Sequence, residues 1–203
     1  MGRNSGGIGN GGGGKSSVKK LTGATESGYT PKMVKNIVGL EQKYRQNRDE
    51  TLHVFNQKGD IIVSFGGKGA RVSSNGAKVP ANSILTHNHP RALQEKGIGR
   101  IGNSFSVDDI RTAVNLNARE IRAVTPTYAF SLKRPSKGWG LSPDKVKTAF
   151  AKAEKEVKKQ HYGYLNKVGY SDSAVERASI THFHKVMKIL SKEYGWKYSK
   201  KNS

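Results

Sequence analysis

Two histidines separated by one residue, in Thr86-His87-Asn88-His89-Pro90, are followed by the segment Ser106-Val107-Asp108-Asp109-Ile110. In extended backbone, side chains at i and i+2 point to the same side, so His87 and His89 can converge on one ion while Pro90 stops the strand behind them. Two imidazoles suit zinc, and a catalytic zinc site adds a third protein ligand and an open position for water. Asp109, near a helix start in the following connection, is the candidate third ligand. Hydrolysis also requires a base for the water's proton and a donor for the oxyanion formed at an attacked carbonyl. Glu50 and Ser106 fit those two roles. Glu41 is a competing base, discounted because its helix face is expected to pack beside Tyr44. Ser-x-x-Asp at a helix start is also close to a capping box, a reading compatible with metal binding because a cap can orient a ligand.

These residues need a scaffold, and the pattern of the chain supplies one. Thr30-Pro31 reads as an N-cap and first helical residue, with Met33, Ile37, Leu40 and Tyr44 at helical spacing, which predicts a helix to about Asn47. Thr51-Leu52-His53-Val54-Phe55 and Ile61-Ile62-Val63-Ser64-Phe65 flank a polar turn and predict a hairpin. Ser83 to His87 is a short apolar strand that delivers the first histidine at its exit. Ser106 to about Leu116 is expected to be helical, with Ile110, Ala113 and Val114 on one face. Glu120 to Leu132 is rich enough in β-branched and aromatic residues for two strands around Thr125-Pro126. Lysine-rich helices are expected from Ser142-Pro143-Asp144 to about Tyr164 and from Ser173 to Tyr194. The fold class is therefore α/β (α+β), a mixed sheet flanked by helices. The division is a Gly/Ser/Lys-rich tail over residues 1–29, a metal-binding core over 30–135 and a basic helical appendage over 136–203.

Composition narrows the chemistry further. The 203 residues contain no cysteine, which excludes disulfides, thiolate zinc clusters and a cysteine nucleophile. Any metal must be held by histidine and carboxylate. Lysine and arginine number 36 against 15 acidic residues, a formal charge of +21, and the positive potential this creates points to a polyanionic partner, nucleic acid or a virion component. No apolar run approaches the roughly 20 residues needed to span a bilayer, so a soluble cytoplasmic or virion-associated protein with no membrane partner is expected. Thr181-His182-Phe183-His184 repeats the His-x-His spelling, but on a helix residues two apart point about 200° around the axis and do not share an ion. His53 and His161 have no motif partners and are read as structural, with His53 a weak candidate for supporting the site.

The order Glu50, His87-x-His89, Ser106-x-x-Asp109 resembles the JAB/MPN metalloprotease superfamily with its JAMM signature, over about residues 48 to 132. Its closest flavour is RadC-like, because Thr86-His87-Asn88-His89-Pro90 and Ser106-Val107-Asp108-Asp109-Ile110 both match that branch. The chain is also similar to JAB-like domains attached to phage head-morphogenesis proteins. The resemblance implies zinc on His87, His89 and Asp109, Glu50 as general acid/base, Ser106 as oxyanion stabiliser, and a peptide or isopeptide substrate. One departure is the long connection from Pro90 to Phe105, which reads as an insertion with a basic, glycine-rich centre at Gly97-Ile98-Gly99-Arg100. It is expected to be a substrate-contacting flap or the mark of a repurposed site. Three functions follow: a zinc-dependent hydrolase of amide or isopeptide bonds; a basic nucleic-acid-binding or virion-associated scaffold in which the metal is structural or absent; and a metal-dependent nuclease using the same water-activating site.

Overall fold

The structure, a computed structural model, describes residues 28–68, 78–90 and 104–202. Most of the expected tail, of the loop after Gly66 and of the insertion after Pro90 lies outside the described residues.

Six strands form one mixed sheet in the order β2-β1-β3-β4-β5-β6. They are β1 (Thr51–Phe55), β2 (Ile61–Gly66), β3 (Ile84–Asn88), β4 (Glu120–Val124), β5 (Tyr128–Lys133) and β6 (Lys197–Asn202). All neighbours are antiparallel except β3 and β4, which are parallel and connected through a helical crossover. That crossover contains α3 (Val107–Asn115).

Strand alternation splits the core between the two sheet faces. Leu52, Val54, Leu85, Ile121, Ala123, Phe130 and Leu132 face α3, α4 (Pro143–Val168) and α5 (Asp172–Tyr194). Phe55 and Ile84 face the other way, against Met33 and Ile37. The N-terminal helix begins at the expected cap, with Thr30 Oγ1 accepting from Met33 N–H at 3.2 Å. It is not uniform: α1 (Pro31–Met33) widens into a π-helical segment (Val34–Val38) before α2 (Gly39–Tyr44), and it ends three residues before the expected Asn47.

The helices beyond residue 135 share their core with the sheet. Val146, Phe150, Ala153 and Val157 of α4 and Val186, Met187 and Leu190 of α5 lie in the same cluster as the sheet residues. After α5, Gly195 takes the left-handed conformation at φ +70° and turns the chain back. Trp196 then packs edge-on to Trp139 with ring centroids 5.4 Å apart, and its Nε1–H donates to the Trp139 carbonyl. The last residues pair with β5 as β6, a strand the sequence reading did not anticipate.

The β1–β2 turn gives a direct stability prediction. Gly59 sits at φ +82°, and a Cβ there would lie 2.9 Å from the Met33 Cα, a backbone atom that cannot rotate away. Replacing Gly59 by alanine combines left-handed strain with overpacking, and a loss of about 2 to 3 kcal/mol is expected in urea unfolding. A loss under about 0.5 kcal/mol, the range of neutral surface changes, would show that the helix gives way freely.

Candidate metal centre

His87 is the fourth residue of β3, directly opposite Leu52 of β1, and so points to the face covered by α3. His89 lies just past the strand but stays in its plane, because its N–H donates to the Val124 carbonyl at 2.9 Å. Alternation then brings the two rings to one side, with Nε2 of each 2.9 Å apart.

Asp109 comes to the same place from the crossover. Ser106 is the N-cap of α3, and the capping box is complete: its Oγ accepts from Asp109 N–H, while Asp109 Oδ2 accepts from the Ser106 N–H at 2.7 Å and Oγ at 2.8 Å. With Oδ2 engaged in this way, Oδ1 faces His87, 3.2 Å from its Nε2, and Oδ2 lies 3.8 Å from His89 Nε2. The helix itself is docked on the sheet by Ile110 and Ala113, both fully buried. Capping and ligand presentation are thus performed by the same four-residue turn.

The geometry meets a metal's requirements. The two Nε2 atoms are 2.9 Å apart, His87 Nε2 is 3.2 Å from Asp109 Oδ1 and His89 Nε2 is 3.8 Å from Asp109 Oδ2, near the roughly 3.3 Å edge of a tetrahedron with bonds of about 2.0 to 2.1 Å. The set His87, His89 and Asp109 could hold a metal ion, and it is the one such group among the described residues. His87 is 2% exposed, whereas His89 and Asp109 retain 19% and 17%, so one side of the cluster remains open to solvent.

Electrostatics point the same way. Burial disfavours a charged His87, but the Asp109 carboxylate, by its charge and hydrogen bond, and the field of Glu50 together raise its proton affinity above the ordinary histidine value. Burial likewise disfavours the charged form of Asp109, and His87 and His89 overcome it, holding the carboxyl well below the usual carboxylate range. The His87 ring also donates to the Arg122 carbonyl. Since Nε2 is turned to His89 and Asp109, this bond falls to Nδ1 and leaves Nε2 free to ligate.

Glu50 precedes β1 by one residue, two steps beyond the Leu52–His87 pair that ends the β1–β3 register, a position that extends toward His89. Its alternation with Leu52 puts it on the His87 face, and its charge acts on the His87 ring. The backbone there is fixed from both sides. Asn88 Oδ1 accepts from Thr51 N–H at 2.8 Å, its Nδ2 donates to the Asn47 and Asp49 carbonyls at 3.1 Å, and the Glu50 carbonyl accepts from Gly67 N–H. Asn88 is therefore a positioning residue that the sequence reading passed over. Its signal was the middle place in His-x-His, which must point to the opposite face.

Glu41, the competing base, is on that opposite face. Both its carboxylate oxygens accept from Arg122, at 2.6 and 2.9 Å, and Thr86 Oγ1 donates to one of them at 2.7 Å. His53 is there too, hydrogen-bonded to Ser64 and beside the Tyr44 ring, not beside the cluster. The helical histidines diverge as expected: His182 turns to Glu154, and His184 Nδ1 meets the Tyr198 hydroxyl at 2.8 Å. His161 is buried against His182, and burial, then Lys185 and His182, push it down to about 4.

Among the described residues, no helix is long and apolar enough to cross a membrane. Comparison of the chain with protein-family models, with curated proteins and with solved structures finds no match.

Proposed function

We propose that this protein is a zinc-dependent hydrolase of amide or isopeptide bonds, with a JAB/MPN-like core and a RadC-like site. The observation that carries the reading is the convergence of His87 Nε2, His89 Nε2 and the Asp109 carboxylate on one partly open side of the sheet, with the charge of Glu50 acting on His87. Zinc held by those three residues would supply a Lewis acid that polarises a carbonyl and brings a water's pKa to about 7.

The chain's own residues do the rest. Glu50 takes the proton from the attacking water and returns it to the leaving nitrogen. Asn88 holds the backbone that presents Glu50, and the Arg122 carbonyl holds the His87 ring. Ser106 is first a cap, its hydroxyl donated to Asp109 Oδ2. It becomes an oxyanion donor by rotating that hydroxyl outward, while the Ser106 N–H keeps Asp109 in place.

Elemental analysis tests the metal. Protein supplied with zinc is expected to carry about one ion per chain, and the paired His87→Ala, His89→Ala substitution about none. A wild-type chain without stoichiometric metal would sink the hydrolase reading and leave the basic scaffold, which the charge of +21 favours.

A further inference from the structure

A second feature, formed by other residues, lies where α5 runs beside β6, the edge strand of the sheet. Between them is a groove of about 730 Å³. His184, Lys188 and Lys192 follow one another at four-residue intervals on α5 and face it, and Lys197 and Lys200 of β6 line the other wall. Among the described residues, no Asp or Glu lines it. The nearest acid along α5, Glu193, is turned to Lys152 at 3.4 Å.

The arrangement exceeds what the fold needs. Lysines on an edge strand discourage edge-to-edge pairing, and Lys192 in the last turn of α5 suits the helix dipole. Neither effect accounts for Lys188 and Lys192 being stacked at i,i+4, a like-charge spacing that weakens a helix, in a groove that two further lysines also line. The potential is strong enough to be felt by a neighbouring group: burial, then Lys188 and Lys200, push His184 down to about 4, so it is neutral at pH 7. Lys200 is also held in place, its Nζ 3.7 Å from the Tyr128 ring centroid.

We infer that the α5–β6 groove binds the phosphodiester backbone of a nucleic-acid strand through Lys188, Lys192, Lys197 and Lys200. The lysines follow the helix and the strand along an open groove, and such a row of ammonium groups matches the repeated charges of a phosphodiester chain. The groove reads phosphates and not bases, because its aromatic faces are already used. Trp196 is buried with its Nε1 on the Trp139 carbonyl, and Tyr128 is covered by Lys200. The inference stands apart from the hydrolase reading, since none of these residues touches the metal centre. A link between the two is nevertheless built in. The Tyr198 hydroxyl on the groove floor meets both His184 and Ser104, two residues before the Ser106 cap.

The test compares two full-length variants of equal net charge. One carries Lys188→Gln, Lys192→Gln, Lys197→Gln and Lys200→Gln; the other carries glutamine at Lys147, Lys155, Lys158 and Lys159, exposed on α4. Binding to a fluorescent single-stranded oligonucleotide is measured over a salt series. Four phosphate contacts at about 0.7 counterions each predict that the groove variant loses about 3 from the log–log salt slope, on the order of 10³-fold in affinity near 0.1 M salt. The α4 variant is expected to lose less than tenfold, and arginine at the four groove positions to retain binding. Equal losses in the two glutamine variants would overturn the proposal in favour of diffuse charge, as would no loss in either. Groove-dependent binding to phosphatidylserine vesicles, without groove-dependent oligonucleotide binding, would overturn it in favour of a membrane surface.

Discussion

Replacing Arg122 by methionine is expected to cost about 3 to 5 kcal/mol of stability, the cost of removing one partner from a buried ion pair. Arg122 is 1% exposed in the middle of β4, and two carboxylates depend on it. Glu41 receives two of its N–H groups in a forked arrangement, and Glu120 receives a third at 3.1 Å. The remaining acceptor capacity is filled by Thr86, Ser131 and Tyr29, with Lys133 at 3.8 Å from Glu120. Two acids and two bases balance, and the network is saturated with hydrogen bonds, which is the condition under which buried charge is tolerated. Methionine of similar length would fill the space but leave Glu41 and Glu120 buried without their shared guanidinium, with Lys133 at 3.8 Å from Glu120 and Arg45 acting on Glu41 only through its charge. Urea unfolding measures the loss, and a value below about 1 kcal/mol would show that water reaches these carboxylates. A companion double substitution, Arg122→Met with Glu41→Leu, should recover part of the loss, because removing the Arg122–Glu41 pair removes its desolvation cost as well. The network also bears on the metal centre, since the residue whose side chain joins these acids on one face holds the His87 ring through its main-chain carbonyl.

The parts of this protein that were legible in its sequence are those set by local rules. His87 and His89 share a side because strands alternate, and Ser106 with Asp109 forms a turn whose capping chemistry is contained in four residues. The β1–β2 hairpin, β3, the β4–β5 pair and all the longer helices follow from periodicity in the same way. What escaped the sequence reading depends on partners distant along the chain. Lys197-Tyr198-Ser199-Lys200-Lys201-Asn202 has no alternating apolar face, and it is a strand because β5 offers it an edge. Arg122 stands among apolar neighbours like any half-exposed strand residue. Its burial requires Glu41, eighty-one positions earlier, to arrive from the helix on the opposite face. Asn88 was overlooked because its role is toward Asn47, Asp49 and Thr51, a loop whose position only the β1–β3 pairing fixes. The convergence of three ligand atoms was foreseeable. The separation of Glu50 from Glu41 by the thickness of the sheet was not.

That separation sets up the sharpest test of the chemistry. Glu50→Gln is expected to lower hydrolysis of a peptide or isopeptide substrate by about 10² to 10⁴-fold, the usual contribution of a positioned base, while about one zinc per chain is retained. The substitution keeps size and hydrogen-bonding shape, and none of the three metal ligands is touched. Nor does it disturb the backbone bonds that hold this position, because those run through Asn88 and Gly67 to main-chain groups. Glu41→Gln should behave in the opposite way. Its carboxylate faces Arg122 and Thr86 beneath the N-terminal helix, so stability should fall while the turnover of the folded fraction stays near wild type. Ser106→Ala separates the two roles of that residue. Loss of the cap should cost about 1 kcal/mol and loosen Asp109, whereas a lost oxyanion donor would lower turnover even where metal content is unchanged. Retained hydrolysis in Glu50→Gln would sink the assignment of Glu50 as base. Lost metal in the same variant would make Glu50 part of the ligand set, and the centre would then hold its ion with four protein side chains, closed to water and structural in kind.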